Sequence, residues 1–195
     1  MTGVQTCALP ILAEILPALS DYLNGERLLI QTNLYLRASR PVTTQTTEAV
    51  GWHRETFYGS NMEKAINIWT PLDGVEPVNT LRYVPHSQHI ADSNILTNKV
   101  EDEATKRFST GHKIGFVYAP KIIVGGVDLR TSVPMNVPMY SSSIFSGNLI
   151  HGAAANHAKT IRFSVDFRIL PMTAWDTSLS KSFHFASGKP YFEEY

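Results

Sequence analysis

Two histidines and one glutamate have the types and spacing of a metal site. His53 and Glu55 stand two residues apart in the segment Trp-His-Arg-Glu, and His151 follows far along the chain, where an apolar run ends in a His-Gly pair. Side chains two residues apart on a β-strand point to the same face. A strand over 49–58 therefore predicts that His53 and Glu55 present their donor atoms side by side. A His-x-Glu pair alone is common by chance, so the third donor decides the interpretation.

These three donors suit one class of metal chemistry. Two histidines and one carboxylate leave coordination positions open, and this set is the facial triad of non-haem Fe(II) oxygenases. Arg162 and Ser164 follow His151 and share one face of a predicted strand. The planar guanidinium of a buried arginine matches the two oxygens of a carboxylate. An arginine and a hydroxyl at this offset are what a dicarboxylate co-substrate needs.

Strand patterns surround these residues. Residues 27–38 alternate apolar and polar side chains, which is typical of a half-buried strand. Glycine-rich turn signals separate the other apolar segments. Short strands with turns and little helix favour a sandwich or a barrel. The further predicted strands cover 49–58, 64–71, 79–84, 113–118, 121–125, 140–150 and 159–170.

Two helices are predicted. Residues 12–24 have apolar side chains near helical spacing, with Gly25 as the stop signal and Pro17 as a break or kink. Residues 99–108 carry acid-to-base pairs four residues apart, which favours a surface helix. This second helix lies in a long insertion over 87–115, which is either a solvated surface or a lid over the mouth of a barrel.

Composition limits the class of protein. The 195 residues contain 17 Lys+Arg and 17 Asp+Glu, and this balance argues against nucleic acid, whose binding domains carry a basic excess. No apolar run approaches the ~18 residues of a membrane-spanning helix. One cysteine excludes an intrachain disulfide and a cysteine zinc cluster. We expect a cytoplasmic protein with a small-molecule substrate, no nucleic acid and no membrane; the oligomeric state stays open.

The first eleven residues, MTGVQTCALPI, resemble the translation of a common short-read sequencing adaptor. They also lack the basic start and the longer apolar stretch of a signal peptide. We therefore expect residues 1–11 to be an artefact attached to a metagenomic reading frame and to be mobile or irregular in structure. Residues 12–195 are expected to form a single domain that is truncated at its N-terminus.

An ordered series of motifs resembles a known family. The chain is similar to the 2-oxoglutarate/Fe(II)-dependent dioxygenases, in the phytanoyl-CoA-dioxygenase-like branch, and looks closest to the oxygenases of streptomycin-type biosynthesis. The most specific block is the last one. In chain order the motifs are Trp-His-x-Glu at 52–55, INIWTPL at 66–72, VPHS at 84–87, HGAAAN at 151–156 and TIRFSVDFR at 160–168.

The resemblance implies a mostly all-β fold, the double-stranded β-helix (jelly roll, cupin-like) with a few short helices. It also implies an O2-dependent oxygenase with Fe(II) as cofactor and 2-oxoglutarate as co-substrate, hydroxylating a small polar molecule such as a sugar, an amino acid or a secondary-metabolite intermediate. The implied site residues are His53, Glu55 and His151 for the metal, and Arg162, Ser164, Asn67 and Thr80 for the co-substrate.

The chain departs from the family pattern at two places. The family usually has aspartate where this chain has Glu55, which keeps the charge and adds one methylene. The Pro-Gly-Ser-His turn of the family is replaced by Pro-His-Ser-Gln-His at 85–89, so the resemblance assigns no role to either histidine of that turn.

Two other functions are compatible with the same residues. A metal-dependent cupin isomerase or hydrolase would use the same three ligands with water, although Arg162-x-Ser164 argues against it. A non-catalytic jelly-roll binding module is a second alternative. The triad argues against the module, because a buried anionic cluster without a metal is costly. Release of succinate from 2-oxoglutarate discriminates the oxygenase from both.

Overall fold

The computed structural model describes residues 3–32, 34–42, 51–58, 62–99, 121–153, 155–176, 190 and 192–195. This part of the chain consists of antiparallel β-sheets and one α-helix. The predicted strand at 113–118, and all but the first residue of the predicted helix at 99–108, lie outside the described residues. The proposed lid is therefore still a prediction.

The strands form one large sheet and two small ones. The elements are α1 (Gly3–Tyr22), β1 (Leu28–Gln31), β2 (Tyr35–Ser39), β3 (Ile66–Asp73), β4 (Leu81–Tyr83), β5 (Leu96–Lys99), β6 (Lys121–Gly125), β7 (Val133–Pro134), β8 (Ser143–Ser146), β9 (His151–Ala153), β10 (Arg162–Pro171) and β11 (Phe192–Glu194). The large sheet has six strands in the order β11-β1-β10-β3-β8, with β2 also paired to β10. The small sheets have the orders β7-β4-β9 and β5-β6.

Helix α1 packs on one face of the large sheet. Leu12, Leu16 and Leu19 recur at helical spacing and are buried against Ile68 and Phe167 of the sheet. Burial of this leucine stripe is the main reason for the helix to form, since most helical stability in proteins comes from packing of an apolar face. No described helix is both long and apolar enough to cross a membrane.

Strand β10 carries the core on one face and the candidate site on the other. It pairs with β1, β2 and β3. Successive side chains of a strand point to opposite faces. Phe167 belongs to the core under α1, whereas Arg162, Asp166 and Arg168 line a cavity on the opposite side of the sheet. The regular alternation of this strand therefore brings three charged side chains to one cavity wall.

The N-terminal helix differs from the sequence prediction. It begins at Gly3 and ends at Tyr22, so the expectation that residues 1–11 are irregular is wrong for 3–11. The helix also continues through Pro17 without a break. Packing of the leucine stripe outweighs the hydrogen bond that proline removes. Whether residues 1–11 are foreign to the domain stays a prediction.

Two predicted strands also have a different form. Residues 27–38 are divided between β1 and β2. Residues 49–58 do not make a strand: within the described part, His53 forms a single bridge to His151, and a 3-10 turn follows from Glu55 to Tyr58. The turn forms because the Glu55 amide donates to the Gly147 carbonyl at 2.8 Å, which draws the chain away from a longer ladder.

Candidate metal centre

The three predicted metal ligands meet in one place. His53, Glu55 and His151 are all buried, and each offers a donor atom within 4.8 Å of the other two. His151 Nε2 lies 3.6 Å from Glu55 Oε1, and the two imidazole centroids are 4.4 Å apart. In the sequence, His151 was linked to Glu55 only through the family resemblance. The fold brings the two residues together.

Backbone pairing brings the two histidines together. His53 and His151 exchange both main-chain hydrogen bonds, each 3.0 Å from N to O. His151 begins β9, which pairs with β4 on its other side. Glu55 comes close because the chain turns directly after this bridge. The predicted neighbours are thus correct, but their shared strand face is not the reason for their proximity.

Hydrogen bonds fix the tautomer of both imidazoles. Nδ1 of His53 lies 2.7 Å from the Gly51 carbonyl oxygen, and Nδ1 of His151 lies 2.8 Å from that of Leu149. A carbonyl only accepts, so each Nδ1 carries the proton and each Nε2 keeps its lone pair. Such an outer hydrogen bond is the usual support of a metal-binding histidine. The donor chemistry of the cluster therefore fits a divalent transition metal.

Burial keeps both imidazoles neutral. It lowers the pKa of His53 to about 3, with the neighbouring His151 adding to the effect, and it lowers the pKa of His151 in the same direction. Neutral imidazole is the form that binds metal. Protonation thus competes with metal only at a pH well below the ordinary histidine range.

The carboxylate of Glu55 is held by three donors. Arg168 donates from Nε to Oε2 at 2.5 Å and from Nη2 to Oε1 at 3.1 Å, and the Asn67 amide donates to Oε1 at 3.1 Å. Burial alone would raise the pKa of Glu55, but the charge and hydrogen bonds of Arg168 lower it to about 2. Glu55 is therefore ionised throughout the physiological range.

This ion pair removes one argument made from the sequence. A buried carboxylate without a metal was expected to be costly, which spoke against a non-catalytic module. Arg168 neutralises Glu55 in the protein itself, so the cluster is charge-balanced as it stands. The case against a plain binding module has to come from the rest of the cavity.

A buried arginine between the two neighbouring ligands anchors their loop. Arg54 donates to the carbonyls of Ser87 at 2.8 Å and Ile90 at 2.9 Å, and to the Asp92 carboxylate at 2.7 Å. The Ser87 hydroxyl in turn accepts from the Ile150 amide at 2.8 Å, directly before His151. The turn at 85–89 thus connects both ligand-bearing segments, although neither of its histidines takes part.

One cavity joins the metal cluster to Arg162. Its lining includes all three candidate ligands and Arg162, together with the apolar walls Trp69 and Phe145. Arg162 is only 3% exposed and donates from Nη1 to the Asn79 carbonyl at 2.5 Å. Its Nε and the Ser164 hydroxyl, two residues along the same face, are buried without a partner in the described part of the chain. Two orphaned donors on one face fit an acidic ligand.

Arg162 is also the arginine of the cavity lining that forms no ion pair with a carboxylate of that lining. The two acidic residues of the lining pair elsewhere: Asp166 with Arg37, and Glu55 with Arg168. Burial, with the nearby Arg37 charge, lowers the pKa of Arg162 to about 10, which still leaves it charged at neutral pH. Among the described residues no carboxylate forms an ion pair with it. A dicarboxylate with one end on the metal fits this arrangement.

The remaining predicted residues take different places. Asn67 lines the cavity, where its amide contacts Glu55. Thr80 is buried but does not belong to the lining of this cavity. Its hydroxyl donates to the Met135 carbonyl at 2.9 Å. Asn156 stabilises the segment after His151 with bonds of 2.8 Å to the Ser39 and Thr160 carbonyls.

Sequence reasoning missed the charged partners of the site. The motif at 160–168 assigned roles to Arg162 and Ser164 and none to Asp166 or Arg168, whereas the structure pairs Asp166 with Arg37 and Arg168 with Glu55. A signal was present: Asp166 and Arg168 continue the alternation that begins with Arg162 and Ser164. Extending that face along the strand would have placed Asp166 and Arg168 at the cavity with Arg162; Ser164 lies on the same face but is not among the residues that line the cavity.

Comparison with known proteins decides the family. The family model described as phytanoyl-CoA dioxygenase (PhyH) matches residues 6–164, which is most of the chain. The chain belongs to the PhyH family. This confirms the resemblance inferred from the motifs. The matched range begins before residue 12 and includes part of the segment attributed to an adaptor. A comparison with curated proteins gives no match.

Solved structures similar to this PhyH chain agree on the fold. ThoJ, a non-heme monooxygenase in its apo form, is 18% identical with a TM-score of 0.54, covering 80% of this chain and 51% of its own. EvdO2 from Micromonospora carbonacea var. aurantiaca is 18% identical with a TM-score of 0.52, covering 78% and 56%. The epimerase SnoN, in complex with Fe3+, alpha ketoglutarate and nogalamycin RO, is 16% identical with a TM-score of 0.51, covering 91% and 64%. The expected double-stranded β-helix is confirmed, in a chain that spans about half to two thirds of these proteins.

A glycine beside Glu55 provides one test of the cluster. A Cβ on Gly147 would lie 2.8 Å from the Ala65 carbonyl oxygen and 3.1 Å from Glu55 Cγ. We expect Gly147→Ala to destabilise the fold by about 1–3 kcal/mol through overpacking and to weaken metal binding by displacing Glu55. Urea unfolding and a Co(II) titration measure the two effects. Gly125→Ala is the control, since the three atoms nearest to its Cβ would all belong to the Leu96 side chain; equal metal affinity in all three proteins would contradict the expected coupling.

The lowered histidine pKa values predict how stability depends on pH. In the unfolded chain His53 binds a proton near pH 6.5, whereas in the folded metal-free protein its pKa is about 3. Its contribution to stability is present above pH 6.5 and is lost as pH falls toward 3. At ~1.4 kcal/mol per unit, the free energy of unfolding should drop by about 3 kcal/mol between pH 7 and pH 4.5. Urea unfolding with and without His53→Gln tests this: the variant should flatten the profile, and parallel profiles would contradict the assignment.

Proposed function

We propose that this chain carries the active site of an Fe(II)- and 2-oxoglutarate-dependent oxygenase that hydroxylates a small polar molecule. The observation that supports this most is the single cavity that joins the His53–Glu55–His151 cluster to Arg162. Neither acidic residue of the lining forms an ion pair with Arg162. A simple metal hydrolase has no need of a buried arginine opposite its metal. Membership in the PhyH family points in the same direction.

Each residue has a definite task in this proposal. His53, Glu55 and His151 hold the metal through two Nε2 atoms and a carboxylate oxygen, and they leave positions open for ligands. Arg162 binds the far carboxylate of 2-oxoglutarate, with the Ser164 hydroxyl as a second donor. When bound, iron and 2-oxoglutarate supply the oxidising power: O2 and 2-oxoglutarate become succinate and CO2 while one oxygen atom enters the substrate.

The cavity wall provides for the substrate. Trp69 and Phe145 exclude water from the metal side, and the Arg37–Asp166 ion pair adds a polar patch to the same lining. A mixed apolar and polar wall suits a sugar, an amino acid or a secondary-metabolite intermediate better than a long lipid chain.

Release of succinate is the test of the proposed reaction. Purified protein given Fe(II), 2-oxoglutarate and ascorbate in air should form succinate above the rate of an iron blank, even without substrate, because oxygenases of this kind turn over slowly when uncoupled. Metal binding without succinate would favour the isomerase or hydrolase alternative. Neither metal binding nor succinate would favour the binding module.

A further inference from the structure

A second arginine of the cavity contacts the candidate metal ligand directly. The Arg168 guanidinium, 8% exposed, forms the two-bond fork with Glu55 through Nε and Nη2. Its own position is fixed from several sides. Its main-chain N and Nη1 lie 3.2 and 3.3 Å from Gln31 Oε1, and its Cζ lies 5.8 Å from the Tyr58 ring centroid and 5.9 Å from that of Tyr35.

The fork removes the freedom that Glu55 would otherwise have. The last torsion of a glutamate, which turns the carboxylate plane, has a broad and roughly two-fold profile. Two parallel N–H···O bonds to a planar guanidinium fix that plane. With the plane fixed, Oε1 lies 3.6 Å from His151 Nε2, in a cluster whose three donor atoms are all within 4.8 Å of one another.

The two oxygens of Glu55 have unequal partners. Oε2 has the shorter bond, to Arg168 Nε at 2.5 Å, whereas Oε1 has two longer ones at 3.1 Å, to Arg168 and Asn67. A metal that binds Oε1 replaces the weaker contacts and leaves the Nε–Oε2 bond unchanged. The same arginine can therefore orient the carboxylate before and after the metal binds.

We propose that Arg168 is the positioning residue of the metal centre: it orients Glu55 so that one carboxylate oxygen is presented to the metal with both histidines. The inference rests on the metal site of the proposed function, but not on the oxygenase reaction. Partners of this kind, one step removed from the metal, typically change metal affinity or activity by about 10- to 100-fold when mutated.

The test compares two arginines of the same cavity. Arg168→Gln and Arg168→Lys remove the fork, and the lysine retains the charge and one donor. Arg37→Lys is the matched control, because Arg37 also lines the cavity and pairs with a carboxylate, that of Asp166, without a bond to Glu55. The readouts are the Kd of Co(II), from an anaerobic titration, and the visible Co(II) spectrum, which reports the ligand geometry.

Arg168→Gln should weaken Co(II) binding by roughly 10- to 100-fold and alter the spectrum. The Co(II) affinity of Arg168→Lys should lie between that of Arg168→Gln and that of wild type. The Co(II) affinity of Arg37→Lys should stay within about threefold of wild type. If Arg168→Gln does not fold, the lysine variant alone decides. Wild-type affinity and spectrum in the Arg168 variants would overturn the proposal, as would equal losses in the Arg37 and Arg168 variants. A wild type that binds Co(II) and forms no succinate contradicts the oxygenase reaction and leaves this comparison intact.

Discussion

Substitution of His151 by alanine should abolish metal binding at micromolar metal. The side chain contributes one of three donors, and its removal leaves only His53 and Glu55 to hold the ion. The loss should exceed the roughly 10- to 100-fold that outer partners cost. An anaerobic Co(II) or Fe(II) titration of wild type and His151→Ala measures it.

Glu55→Asp is the informative companion of His151→Ala. The charge is kept and one methylene is lost, so the variant should retain part of the metal affinity, because aspartate is the usual residue of the family at this place. The comparison requires that His151→Ala unfolds within a few degrees of the wild-type midpoint. Tight metal binding by a folded His151→Ala protein would remove His151 from the site.

Arg162→Lys should weaken 2-oxoglutarate binding and spare the metal. Lysine keeps a positive charge but loses the two-pronged geometry that matches a carboxylate. Loss of a charge-assisted pair in a closed cavity typically costs on the order of 1.5–3 kcal/mol, or about ten- to a hundredfold in affinity. Calorimetric titration of 2-oxoglutarate into the Mn(II)-loaded proteins gives the affinity, and a separate Mn(II) titration gives the stoichiometry of the metal.

Arg82→Lys serves as the control for this comparison. Arg82 is a half-buried arginine of β4 that bonds Ser132 and lies outside the cavity lining. It should leave 2-oxoglutarate affinity unchanged. If Arg162→Lys binds 2-oxoglutarate as wild type does, the co-substrate is held elsewhere and the orphaned donors of Arg162 and Ser164 need another ligand.

The sequence predicted which three residues meet in the cluster better than it predicted the geometry that joins them. His53 and Glu55 were expected to share a strand face, yet cross-strand pairing with His151 and a 3-10 turn bring them together. A hydrogen bond from the Glu55 amide to Gly147, far along the chain, decides the turn. Local alternation carries no information about such a contact, so the residues could be predicted and their arrangement could not.

Strand β10 shows the same limit for charged side chains. The alternation from Arg162 to Ser164 correctly placed them on one face, and it extends to Asp166 and Arg168. The partner of each charged side chain lies more than a hundred positions away along the chain: Asp166 pairs with Arg37, and Arg168 pairs with Glu55. Thr80 is a similar case, because its hydroxyl donates to the Met135 carbonyl, a contact that the sequence pattern does not contain. A pattern identifies a face of a strand, and only the fold assigns the pairs.

The most direct test of the account is the visible charge-transfer absorbance of the anaerobic protein with Fe(II) and 2-oxoglutarate. This band requires the metal and the co-substrate to be bound together, which is the joint role proposed for the His53–Glu55–His151 cluster and Arg162. We expect a band that saturates at one iron and one 2-oxoglutarate per chain, shifts to higher co-substrate concentration in Arg162→Lys and is absent in His151→Ala. Stoichiometric iron binding with no band at saturating 2-oxoglutarate would contradict it.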